Sequence, residues 1–226
     1  NAITDGFVGN GRTVKFSRKQ RTNGVYEENG VIFRGETPVL ETQDILIPGD
    51  HNIENYMAAI AAVDGLVEDE TIRQVARNFG GVEHRIELVR VKDGGKYYND
   101  SIASSPSRTI AGLRSFDQKV LLIAGGYDKH IPYDVLGPEI CEKVKVLFVN
   151  GATGPQIRQA VEQTPGYTAG KPEIVDCADF TDAVSKAVQM AKEGDIVLMS
   201  PASAAFDQFK NFMERGNYFK KLIKEL

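Results

Sequence analysis

Val120-Leu121-Leu122-Ile123-Ala124-Gly125-Gly126-Tyr127-Asp128-Lys129 is the stretch on which the fold turns. An unbroken apolar run reads as a strand buried on both faces, and the paired glycines after it read as a tight turn at its carboxyl end. Three further segments share this character: Val144 to Val149, Glu173 to Val175 and Ile196 to Met199, with helical periodicity between them. Buried strands alternating with helices predict a mostly parallel, doubly wound α/β domain. Just upstream, Ile86 to Val91 and Lys96 to Asn99 flank Asp93-Gly94-Gly95 and predict a hairpin.

Towards the amino terminus the pattern changes. Thr13-Val14-Lys15-Phe16 is strand-like, and Val25-Tyr26 and Val31-Ile32-Phe33 flank Asn29-Gly30, a pair that takes the positive φ values of a type I′ turn. Beyond Ile45-Leu46-Ile47-Pro48-Gly49, the residues Ile53, Tyr56, Met57 and Ile60 predict one helix face, and Ile72, Val75, Ala76 and Phe79 a second. Gly80-Gly81 is expected to end that second helix and to separate a domain over 1–80 from another over 81–226. The start at Asn1, without Met and running straight into strand-like sequence, reads as an internal cut or tag remnant.

Composition narrows the function. With 42% hydrophobic and 26% charged residues the chain is neither collagenous nor disordered. A net charge of −4 leaves no basic excess for nucleic acid. No apolar run approaches the roughly 20 residues that span a bilayer. Two cysteines, Cys141 and Cys177, and three histidines, His51, His84 and His130, support neither a disulfide scaffold nor a zinc cluster, so a reducing, cytoplasmic setting is expected.

Doubly wound sheets bind ligands beyond the carboxyl ends of their strands, which directs attention to four segments. Asn99-Asp100-Ser101-Ile102-Ala103-Ser104-Ser105-Pro106 predicts a helix start whose amides favour an anion, a plain capped helix being the other reading. Gly125-Gly126 allows close backbone approach, and Lys129 either offers a point charge to an anionic ligand or is simply solvated. Ser200-Pro201-Ala202-Ser203-Ala204-Ala205-Phe206 leads into an aromatic-rich helix start, where Phe206, Phe209 and Phe212 either cradle a ligand or pack in the core. Asn52 and Asn55, three apart at a helix start, can turn both amides to one ligand, with His84-Arg85 at the domain boundary. There is no G-x-x-x-x-G-K-[ST] phosphate loop, no G-x-G-x-x-G opening a βαβ unit and no nucleophile elbow.

Taken in order, Gly49-x-His51-Asn52-x-x-Asn55, His84-Arg85, Asn99-Asp100-Ser101, Gly125-Gly126-x-x-Lys129 and Ser200-Pro201-Ala202 with Asp207-Gln208-Phe209-Lys210-Asn211-Phe212 resemble the Mur ligases of peptidoglycan synthesis, and among them the branch that adds D-glutamate. The similarity runs from about Gly9 to Leu226. It implies that residues 1–80 are the tail of a central ATP-binding domain and 81–226 the carboxyl-terminal Rossmann-like domain. It further implies an enzyme that phosphorylates the carboxylate of UDP-N-acetylmuramoyl-L-alanine with ATP, after which the amine of D-glutamate attacks the acyl phosphate. Mg²⁺, the phosphate loop and a carbamylated lysine are expected to come from parts upstream of Asn1.

By the same resemblance Asn52 and Asn55 face the adenine, and His84, Arg85 and Asp100 contact the rest of the nucleotide. Lys129, Ser104, Phe206 and Phe212 line the D-glutamate pocket. Two positions depart from the common pattern: Ile102-Ala103-Ser104 stands where Lys-Ala-Thr is usual, and Ala205 where a serine is frequent. With the phosphate loop and Mg²⁺ ligands expected upstream of Asn1, the isolated chain is expected to be inactive and to hold no cofactor tightly. Because the sheet under Ile53, Met57 and Ile60 would be missing, either self-association or a loosely held amino-terminal half is also expected. The alternatives are a sister ligase that adds another amino acid or a polyglutamate tail, and a non-catalytic nucleotide-binding module.

Overall fold

The computed structural model describes residues 10–226; the opening residues, including Gly9 and the expected cut before Asn1, lie outside them. The chain divides into two compact units, one ending at Gly80 and one running from Gly81 to Leu226.

The first unit is a four-stranded sheet in the order β1 (Phe16–Ser17), β2 (Val25–Glu28), β3 (Val31–Arg34), β4 (Thr37–Glu41), packed by helices α1 (Asp50–Ala62) and α2 (Asp69–Asn78). Asn29 and Gly30 take φ of 52° and 81°, the two left-handed residues of the anticipated hairpin turn. Strand β4 is an addition: Pro38 and the flanking polar residues hide its short apolar pair, Val39-Leu40. Together with Val25 and Ile32 that pair covers Met57 and Ile60, which are 0% and 1% exposed. The apolar face of α1 thus has its own sheet, and the reason for expecting self-association there disappears. In α2 the buried stripe is Ile72 and Ala76 alone; Val75 and Phe79, assigned to the same face by spacing, are 49% and 40% exposed. Phe79 has already left the helix, as its extended C-cap, so Gly80-Gly81 follows the helix end without making it.

The second unit is a six-stranded sheet in the order β5-β6-β10-β7-β8-β9, comprising β5 (Glu87–Lys92), β6 (Gly95–Asn99), β7 (Val120–Gly125), β8 (Val144–Asn150), β9 (Glu173–Asp176) and β10 (Ile196–Met199). Only β5 is antiparallel, through the hairpin with β6. Alternation along β7 shows why the run is unbroken. Val120, Leu122 and Ala124 pack with Leu113 of α3 (Pro106–Leu113), Ile140 of α4 (Leu136–Lys143) and Ile157 of α5 (Gly154–Glu162). Leu121 and Ile123 pack on the other face with Phe180 of α6 (Phe180–Met190) and Phe219 of α7 (Phe212–Lys224). The sheet is therefore doubly wound, and burial of both faces requires every β7 side chain to be apolar.

Helix α7 starts only at Phe212, where Asn211 caps it by accepting the Glu214 N–H at 2.9 Å. Phe206 and Phe209 precede it in turns, so their three-residue spacing is not a helix face. Phe209 packs against Phe180 and Tyr218, which is the core role read as one option.

Candidate active site

The chain leaves β7 for β8 and β9 and returns as β10 between β6 and β7, which brings the loops after β6, β7, β8 and β10 to one end of the sheet. Backbone contacts bind these loops together. Gly125 N–H donates to Pro201 O, Tyr127 N–H to Ala204 O, and Thr153 N–H to Gly126 O. Gly125 and Gly126 have φ of 115° and 150°, and a Cβ on either would collide with the carbonyl oxygen of Asn150 or of Ala204. Only glycine fits both the dihedrals and the space.

Asp100 lies inside this end of the sheet, 3% exposed. One carboxylate oxygen accepts from Ser200 Oγ at 2.7 Å and the other from Ile86 N–H at 3.3 Å; Ser200 Oγ also lies 3.0 Å from Thr109 Oγ1. Burial pushes the Asp100 carboxyl up to about 7, against the pull of those hydrogen bonds and of the Arg85 and Arg108 charges. His84 is 4% exposed, with φ of 65°. Its Nδ1 lies 2.9 Å from Asn99 Nδ2, its ring meets Phe212 edge-on at 6.0 Å, and Gly216 leaves the room it occupies. Arg85, beside it, is exposed and its side chain makes no hydrogen bond or ion pair among the described residues.

Glu83, His84 and Glu87 bring three donor atoms within 4.8 Å of one another. Lys220 Nζ sits on both carboxylates, at 2.6 and 2.7 Å, and holds Glu83 below the ordinary carboxylate range. That ammonium already supplies the positive charge, so this group does not suit a divalent cation.

The residues expected to line an amino-acid pocket are divided. Lys129 is exposed and unpaired among the described residues, three residues beyond Gly126. Phe206, 62% exposed, packs edge-on at 5.8 Å against Tyr127, so both aromatics stand beside the Lys129 loop. Phe212 lies instead at the His84 side, and Ser104 is half-buried ahead of Pro106, the first residue of α3. In the first unit Asn52 is 8% exposed and spends its amide on Pro48 O at 2.7 Å, while Asn55 donates to Asn52 Oδ1 at 3.2 Å. The two amides therefore form a chain in which the exposed Asn55 is the outer member.

Several supporting residues carried no signal in short motifs. Asn150 Nδ2 donates to Ala124 O at 3.0 Å, and Thr153, Ser203 and Tyr133 join hydroxyls at 2.7 and 2.8 Å. Arg215, 2% exposed, had a readable signal: it stands on the apolar stripe Arg215, Phe219, Ile223 of α7, where a solvated arginine does not belong. Burial lowers its guanidinium to about 10. Cys177, raised to about 11 by burial, is no thiolate.

Loops gathered at a topological switch point, with an inward acid, a glycine pair and an open lysine, stand where a doubly wound α/β domain places a ligand. Residues 84–203 match the family description "Mur ligase, glutamate ligase domain", and the chain belongs to the Mur ligase family. Its relatives include UDP-N-acetylmuramoylalanine–D-glutamate ligases from Acetivibrio thermocellus, 51% identical, and Clostridium beijerinckii, 46% identical. Each match covers 100% of this chain and 50% of the relative, so the chain spans about half the length of the curated relatives it matches. Among solved structures, UDP-N-acetylmuramate-alanine ligase from Thermotoga maritima superposes with a TM-score of 0.58 at 14% identity over 86% of this chain and 42% of that one. A bifunctional folylpolyglutamate synthase/dihydrofolate synthase from Yersinia pestis gives 0.60 at 16% over 88% and 46%. These two likenesses establish the shared fold. Among the described residues no helix is long and apolar enough to cross a membrane.

Proposed function

We propose that this chain is the carboxyl-terminal part of a cytoplasmic, ATP-dependent ligase that joins D-glutamate to UDP-N-acetylmuramoyl-L-alanine through an acyl phosphate. The first unit is then the end of the ATP-binding domain and the second the domain that receives the amino acid. What carries the reading is the 51% identity, along the whole chain, to a relative named for that reaction. The geometry supplies its chemistry. Lys129 holds a carboxylate of the incoming amino acid as a point charge and leaves its amine free to attack, while Phe206 and Tyr127 shield the aliphatic stem.

On the nucleotide side, Asn55 has the open amide suited to a base edge, and the unpaired guanidinium of Arg85 suits a phosphate. Asn52, His84 and Asp100, all buried, act mainly by holding those neighbours in place. ATP supplies the phosphoryl group that activates the acyl carboxylate. No step through Mg²⁺ is assigned to this chain, because Lys220 fills the one fitting cluster among the described residues.

The test is ADP release by the complete ligase carrying this sequence. It should require both UDP-N-acetylmuramoyl-L-alanine and D-glutamate, and the 226-residue chain alone, which lacks a phosphate loop, should release no phosphate. Turnover with another amino acid in preference to D-glutamate would overturn the substrate assignment.

A further inference from the structure

Arg215 is a fully buried cation with no carboxylate in contact. Its Nε donates to Ser101 Oγ at 3.0 Å and its Nη2 to Ser101 O at 2.9 Å. Its Nη1 donates to Ser203 O and Ala204 O, both at 3.1 Å, and the same nitrogen lies 3.2 Å from where a Cβ on Gly126 would stand. Ser101 Oγ passes the chain on by donating to Phe212 O at 2.7 Å. Among the described residues, the acid that acts on this charge is Asp207, from a distance.

The partners of the guanidinium follow a pattern. Each loop it bonds or lies beside carries, two or three residues further on, a side chain assigned above to the amino acid: Ser101 precedes Ser104, Gly126 precedes Lys129, and Ala204 precedes Phe206. Phe212 is reached through Ser101 Oγ. Asp100, by contrast, is anchored independently by Ser200 and Ile86. An arginine fork can hold carbonyls on separate loops in fixed directions, whereas an ammonium donates from a single point.

We infer that Arg215 is the positioning residue of the amino-acid pocket: it sets the mutual spacing of the Ser104, Lys129 and Phe206 loops without touching the substrate. Its uncompensated charge, screened little at this depth, also favours an anion at the loop mouth. This rests on the proposed reading of the pocket.

The experiment is steady-state kinetics of the complete ligase with Arg215→Lys and Arg215→Gln, each with thermal melting, varying D-glutamate and ATP in turn. Arg215→Lys keeps the charge and loses the fork. It should raise the KM for D-glutamate at least tenfold and leave that for ATP within twofold, a split that general loosening of the fold does not produce. Ser101→Ala, which keeps the arginine but removes the hydroxyl that accepts from its Nε and donates to Phe212 O, should raise the D-glutamate KM about threefold. If the wild-type ligase does not saturate with D-glutamate, the reading of the pocket fails. If it does saturate, and Arg215→Lys shifts both KM values equally or neither, or no Arg215 variant folds and Ser101→Ala leaves the D-glutamate KM unchanged, the role of Arg215 fails.

Discussion

His84 and Asp100 lie at 4% and 3% exposure with their polar atoms engaged by protein, whereas Lys129 and Arg85 stand in solvent with their charges open. Two kinds of residue thus share one end of one sheet. The buried ones cost free energy unless every polar atom is satisfied, so their substitution should register in stability. The open ones contribute little to folding, so theirs should register in substrate binding. A site in which the two kinds are interleaved, as Asp100 is with Arg85, can be mutated at adjacent loops with opposite outcomes.

The largest effect expected on the buried side is Gly125→Ala, where strain from positive φ adds to collision with Asn150 O. A loss of about 3 to 5 kcal/mol by urea unfolding is expected. A loss below about 1 kcal/mol would show that the loop yields, and with it the contrast.

Next comes Asp100→Asn. A carboxyl raised by burial to about 7 adds stability that is complete below its unfolded value near 4 and is lost as pH rises through about 7. Wild-type protein should therefore lose on the order of 3 kcal/mol from this group between pH 4 and pH 8. An asparagine keeps the Ile86 bond through Oδ1 and can donate to Ser200 Oγ, so unfolding free energies of the variant across that range should lack this component. Equal pH slopes in the two proteins would mean that Asp100 is not the buried acid inferred here.

On the open side, Lys129→Ala should leave unfolding within about 0.5 kcal/mol, as for an exposed side chain. In the complete ligase it should raise the KM for D-glutamate roughly ten- to a hundredfold, the loss of a charge-assisted contact of about 1.5 to 3 kcal/mol. A rise for ATP with none for D-glutamate would move Lys129 to the nucleotide. The smallest effect is Phe206→Ala: its edge-on contact with Tyr127 is worth about 0.5 to 1.5 kcal/mol at most, and exposure places it at the low end. Differential scanning calorimetry should find it nearly silent while the KM for D-glutamate rises; a destabilisation above about 2 kcal/mol would make it a core residue.

What could be read in the sequence was whatever a local period or a short backbone rule encodes. The β7 run had to be apolar throughout because both faces of the sheet are covered, so its strand and the parallel fold were visible in six letters. Asn29-Gly30 and Gly125-Gly126 were visible because only such residues take the required φ. Strand β4 was hidden by Pro38, and α2 was overextended because spacing alone does not say where a helix stops. The site was legible as a set of loops and not as an arrangement. That Asp100 turns inward to Ser200 and that Arg215 lies beneath the loops after β6 and β10 depend on residues about 100 positions apart meeting at one sheet end. Burial, and with it each group's charge state and freedom to meet a ligand, is a property of those distant meetings, and so only the tertiary structure decided it.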